Sequence, residues 1–227
     1  MRTRVLSSSL VVLYVGAVAA ALQAPRFDDI VRADFFAGMS GDTARFDHAM
    51  TTCDEALAKD PKNAPALVWR GAGLLVRSGI AFRSGKVDEG MALRSHALQE
   101  MNDAVGMAPN DVQVLIPRAA ILVSSARFAP IDQSREMAQA AAADYEQVLA
   151  VEAPYANRLG THLRGELLGG LATAYRLSGD EAKASSYLTK MSQELPGTPY
   201  AQKAQNWLAD LRAVPREDQF CLGCHVK

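Results

Sequence analysis

An all-α fold built from consecutive helical hairpins is what this sequence predicts, and three observations predict it. Apolar residues recur at three- and four-residue spacing over 28–212, the pattern of a helix with one buried face. Gly, Pro, Asp or Asn break that pattern at intervals suited to helix ends. No stretch alternates convincingly with period two, aromatic residues make up only 7% of the chain, and alanine is abundant, a balance that favours helix over sheet.

The bulk properties fit one domain with a real core. The chain has 227 residues, of which 49% are hydrophobic and 22% charged, both globular values. A formal net charge of −1 gives no general attraction to nucleic acid, whose binding needs a basic surface to displace counterions.

The first element, residues 1–21, reads as a secretory signal peptide. Arg2 and Arg4 form a basic start, an apolar run extends from about Leu10 to Leu22, and Ala19 and Ala21 supply the small residues of a cleavage site. An uncleaved anchor is the alternative, because the run from Val5 to Leu22 approaches the length of a membrane span. Ser7, Ser8 and Ser9 dilute that run and favour cleavage. Either way the body is expected outside the cytoplasm, in the periplasm. Loss of Arg2 and Arg4 leaves 22 basic against 25 acidic residues, a mature charge of about −3.

The body follows as residues 28–212. Its helices are predicted over 28–39, 43–59, 65–82, 87–107, 112–126, 132–152, 155–177, 180–194 and 198–212. Pro117 falls inside the fifth, where it should kink the helix or mark its true start. Every second helix closes on an X-Pro pair: Asp60-Pro61, Ala108-Pro109, Ala153-Pro154 and Leu195-Pro196. The four prolines are spaced 48, 45 and 42 residues apart.

At these positions the chain resembles the tetratricopeptide-repeat family, whose unit is a helix–turn–helix of about 34 residues ending in proline. In the last unit Leu171-Ala172, Tyr175, Gly179, Ala184 and Pro196 fall in the family's register; in the first, Phe36-Ala37, Phe46, Ala49, Ala56 and Pro61 do. The middle units are longer, which suggests helices extended by a turn or more. The resemblance implies a TPR-like α-α superhelix with a concave face lined by the first helix of each pair, and a protein partner as its occupant.

Those first helices are rich in arginine: Arg70, Arg77, Arg118, Arg127, Arg158, Arg164 and Arg176 lie in or beside them, against only Asp111 and Glu166. The segregation suggests a basic groove for an acidic segment or a terminal carboxylate, with Arg70, Arg77, Arg118, Arg158 and Arg164 as its contacts. The alternative is that these arginines are solvated or pair with acids on the neighbouring helix.

The last element, residues 213–227, carries the chemistry. It holds Cys221-Leu222-Gly223-Cys224-His225, the Cys-x-x-Cys-His attachment motif of c-type cytochromes. By resemblance, Cys221 and Cys224 would bind one haem c through thioethers to its vinyl groups, and His225 would be the axial ligand of the iron. A Cys221–Cys224 disulfide or a thiol–disulfide pair are the alternatives. Only two residues follow His225 here, so no cytochrome domain is expected to enclose the haem. The candidates for a second axial ligand are His48, His96, His162 and methionines such as Met107 and Met191.

Cys53, Trp69 and Trp207 sit at positions expected to pack in the core. No Ser–His–Asp, paired-carboxylate or metal-hydrolase pattern appears, so a non-enzymatic role is expected. The resulting reading is an exported scaffold that holds a periplasmic protein and exchanges electrons with it through the haem. A haem-free scaffold with the tail disulfide is the runner-up, and an assembly factor for cytochrome tails is a third possibility.

Overall fold

The computed structural model describes residues 26–154 and 159–210. The signal-peptide reading of 1–21, Arg158, and the motif at Cys221, Cys224 and His225 lie outside the described residues. Those described form helices α1 (Phe27–Met39), α2 (Thr43–Lys59), α3 (Ala64–Arg83), α4 (Val87–Met107), α5 (Val112–Ala126), α6 (Ile131–Glu152), α7 (Thr161–Ser178), α8 (Glu181–Glu194) and α9 (Pro199–Ala209). No strand occurs among them. None of these helices is long and apolar enough to cross a membrane.

The ends of the helices follow from local chemistry. Asp42, Asn63, Asp111, Asp180 and Thr198 each accept a backbone N–H of the first turn they precede, at 2.8–3.3 Å. Caps of this kind contribute about 0.5–2 kcal/mol each. Asp60, Ala108, Ala153 and Leu195 are the C-caps of α2, α4, α6 and α8, so the X-Pro pairs stop every second helix. The proline ring disfavours the helical conformation in the residue before it, and Asp60, Ala108 and Leu195 leave that conformation, whereas Ala153 keeps helical angles of φ −50° and ψ −41°.

Within three hairpins the turn is also repeated. Gly41, Gly85 and Gly179 adopt positive φ of 113°, 75° and 93°, a region that costs a residue with a Cβ dearly. In each case the following N–H reaches back five residues, to Ala37, Ala81 or Tyr175. The α5–α6 turn instead runs through Arg127, Phe128, Ala129 and Pro130.

Two expected boundaries shift. α7 begins at Thr161 rather than 155, because Gly160 is extended and caps no N–H with a side chain. Tyr155, Leu159 and Leu163 are spaced by four and so mimic a helical stripe across that break. α9 stops at Ala209, with Asp210 extended. Pro117 lies six residues into α5, which starts at Val112, so the proline does not mark the helix start.

The helices pack by proximity in sequence. α1 pairs with α2, α3 with α4, α5 with α6 and α7 with α8. The first helices also touch in series, α1 on α3, α3 on α5, α5 on α7 and α7 on α9, while each second helix flanks the next first helix. Close crossings occur where side chains are absent: a Cβ on Gly71 would lie 2.8 Å from Met101, and one on Gly170 2.6 Å from Tyr145. The core divides at α7. Leu167, Leu171 and Tyr175 join the large cluster running back to α1, whereas Leu168 and Ala172 join Leu188, Met191 and Trp207. A fully buried leucine such as Leu171 stabilises by about 1.5–3 kcal/mol, so α7 ties both clusters into one body.

Candidate functional site

The first helices α3, α5 and α7 present two kinds of side chain on different faces. Toward the second helices they present arginine. Arg70 on α3 reaches Glu100 on α4 at 2.6 Å and Asp54 on α2 at 3.3 Å. Arg118 on α5 reaches both oxygens of Asp144 on α6 at 2.9 and 3.2 Å, and Asn102 on α4 at 2.7 Å. The partner on the preceding second helix is 16 residues upstream in both cases. Arg77 meets Asp47 at 2.9 Å and lies over the Phe46 ring, and Arg164 pairs with Glu194. None of these four lines the apolar cavity that the first helices enclose. These four arginines thus each meet a carboxylate of a second helix and brace neighbouring helices, whereas Arg127 lines the cavity and Arg158 lies outside the described residues.

The Arg118–Asp144 brace is the most enclosed, with side chains only 13% and 6% exposed. Burial pushes the Asp144 carboxyl up to about 6 although Arg118 opposes the shift. Burial likewise raises the Cys53 thiol to about 12, so this fully buried residue is inert packing, as its position suggested.

On the face away from the braces the first helices enclose an apolar cavity of about 540 Å³. α3 supplies Trp69, Ala72 and Val76; α5 supplies Val112, Ile116, Ala120 and Val123; both sets are stripes one turn apart. α1 adds Phe35, Phe36 and Met39, α6 adds Tyr145 and Val148, and α7 adds Leu163, Gly170 and Thr173. Small residues at Ala72, Ala120 and Gly170 leave the space. Trp69 stacks on Phe35 at 5.0 Å, and its buried indole N–H has no acceptor among the described residues. An unmet donor of this kind costs about 1–3 kcal/mol.

Polar groups gather at the margins. Arg26 and Arg32 converge on the buried Asp28, the former at 3.2 Å. Arg127, Glu152, Glu166 and His162 also line the space. His162 Nδ1 lies 2.7 Å from the Tyr200 hydroxyl, which donates to Glu166 Oε1 at 3.2 Å. Gly165 makes this possible, since a Cβ there would collide with the Tyr200 ring.

The other expected ligands are placed less favourably. His48 faces Asp34 at 2.7 Å and His96 faces Glu100 at 3.0 Å, and neither lines the cavity. Met191 is wholly buried in the smaller core cluster, and Met107 is on the surface. Arg176 lies over the Trp207 ring at 5.9 Å. Among the described residues no group of three or more His, Cys, Asp or Glu could hold a metal ion. The cavity itself escaped sequence reasoning because five helices contribute to it; Trp69, an aromatic on a first-helix stripe, was its one visible sign. Comparisons with protein-family models, curated proteins and solved structures give no match to this chain.

Proposed function

We propose that this chain is an exported, tetratricopeptide-like helical scaffold that carries one covalently attached haem c and passes electrons to or from a periplasmic protein partner. The observation that carries this reading is Cys221-x-x-Cys224-His225 in a chain whose first residues read as an export leader. The serial contacts of the first helices and the X-Pro C-caps in register support a superhelix of stacked hairpins.

Each thiol would add across one vinyl group, its sulfur bonding to carbon and its proton passing to the neighbouring carbon, so that no oxidant is consumed. His225 would hold the iron from one side. The bound haem supplies a reversible one-electron couple. The chain's own residues would contribute the covalent tether, an imidazole ligand, and an apolar face that excludes water from a flat ligand. That cavity suits the group: its wall is largely apolar and its volume lies in the range of about 300–1,000 Å³ that accommodates small ligands.

The test is intact mass and the reduced-minus-oxidised spectrum of protein exported from a host with cytochrome c maturation, beside a Cys221→Ser, Cys224→Ser control. A gain of one haem with c-type bands, both absent from the control, supports the reading. Apo mass in a host that matures another cytochrome overturns it and leaves the haem-free scaffold. Cys53 gives an internal count: alkylation after unfolding should find one thiol in holoprotein and three in a reduced apo chain.

A further inference from the structure

We propose that Tyr187 is a site of reversible one-electron oxidation, with Glu146 as the acceptor of its proton and the Tyr175 ring stacked on its own. The site lies where α6, α7 and α8 meet, shares no residue with the cavity, and does not depend on the haem reading.

Three helices bring four titratable side chains together here. The hydroxyls of Tyr175 on α7 and Tyr187 on α8 both donate to Oε1 of Glu146 on α6, the second at 3.2 Å. The two rings are parallel within 4°, with centroids 5.7 Å apart, an offset-stacked arrangement that aromatic pairs favour. Lys183 Nζ donates to the Tyr175 hydroxyl at 3.0 Å and stands 4.4 Å from the centre of that ring. A carboxylate only accepts and an ammonium only donates, so both phenol protons are directed at one carboxylate oxygen.

The chemistry follows from what a phenol does when it loses an electron. Its radical cation is a strong acid, so the electron leaves readily only where a base already holds the hydroxyl. Both phenols keep their protons at neutral pH. Burial raises Tyr175, and burial together with the Glu146 charge pushes Tyr187 up to about 12. Glu146 stands ready to take the proton as the electron departs. The products are a neutral Tyr187 phenoxyl and a carboxylic acid at Glu146. The electron passes to an outer-sphere one-electron oxidant whose potential exceeds that of a phenol. The proton stays within hydrogen-bond reach and returns when a one-electron donor refills the ring.

The pair is asymmetric. Lys183 sets a positive charge at the Tyr175 hydroxyl and over its face, and so resists withdrawal of an electron from that ring. Tyr187 makes neither contact and is half-buried, whereas Tyr175 is only 8% exposed. An oxidant at the surface therefore meets Tyr187 first, while the π face of Tyr175 steadies the electron-poor ring beside it. One carboxylate takes one proton, so the site stores one oxidising equivalent.

The experiment uses the full-length Cys221→Ser, Cys224→Ser chain, so that no haem absorbs and the result leaves the haem reading untouched. Tris(bipyridine)ruthenium(III), made by a laser flash with persulfate, is the oxidant. The phenoxyl is followed by its absorption band and by electron spin resonance of frozen samples. It should form, more slowly in heavy water, and ascorbate should return the protein to its unmodified mass. Tyr187→Phe keeps the ring stack and should remove most of the signal. Glu146→Gln keeps an acceptor oxygen for both hydroxyls but loses the base, and should slow phenoxyl formation about a hundredfold. Thermal unfolding checks that both variants fold as the parent does, and the heavy-water and ascorbate results need no substitution at the site. An equal phenoxyl yield in Tyr187→Phe, an unchanged rate in Glu146→Gln, or an oxidised mass that ascorbate does not reverse overturns the proposal.

Discussion

Arg118 and Ala120 stand two residues apart on α5 and belong to different surfaces. Residues so spaced do not share a helix face. Arg118 is locked to Asp144 and Asn102 on the second helices, whereas Ala120 opens onto the apolar cavity. The same division runs along α3, where Arg70 braces α2 and α4 while Trp69 and Ala72 line the cavity. Along α3 and α5 charge holds helices to one another, and the stripe that faces the cavity is apolar, with charged groups only at the cavity's margins.

The sharpest way to break that contrast is at the enclosed brace. Arg118→Met leaves Asp144 buried without its counter-charge and should cost about 3–5 kcal/mol in denaturant unfolding. The double variant Arg118→Met, Asp144→Leu should recover most of it. The pH dependence has a definite sign. The folded pKa of Asp144, about 6, exceeds its ordinary 3.8, so its contribution is fully present below 3.8 and is lost as pH rises through 6. Removing Arg118 should move that loss further upward, so the variant's deficit shrinks on acidification.

Gly170 joins the two regions, lining the cavity while abutting Tyr145. Alanine there gains helix propensity yet forces Tyr145 aside, and overpacking of about 1–3 kcal/mol should outweigh a propensity gain of about 1. A lowered midpoint in thermal unfolding checks this. Arg77→Ala tests the outer end of the brace series. Its pair with Asp47 is 41% and 68% exposed, so the loss should stay within about 1 kcal/mol and vanish in high salt. Ala120→Leu should change stability least, by about 0.5 kcal/mol or less, because its side chain enters open space. It should nevertheless lower the uptake of an apolar fluorescent dye, and unchanged uptake would place the dye elsewhere.

Much of this fold is legible in the sequence because its ends are marked by backbone chemistry. X-Pro pairs mark the ends of α2, α4, α6 and α8, in three of them through the steric rule that takes the residue before proline out of the helical region, and glycines turn three of the four hairpins. The start of α7 is less legible, since side-chain periodicity continues through Leu159 although the backbone at Gly160 is extended. The site was harder. An arginine on a first helix looks the same in sequence whether it faces a groove or a carboxylate 30 residues downstream, as Arg70 and Arg164 do. The link from His162 through Tyr200 to Glu166 joins α7 to α9 across 38 residues, and only the packing at Gly165 brings it about.

The pairing of helices only with neighbours one or two places along the chain carries a consequence for how the protein is made. A chain delivered from its N-terminus can close each hairpin once its second helix has emerged, then seat it on the one already standing. Loop-closure entropy stays small at every step, because no early segment waits for a distant strand or a late helix to complete it. Assembly can thus keep pace with delivery of the chain, each new hairpin meeting a neighbour that has already folded.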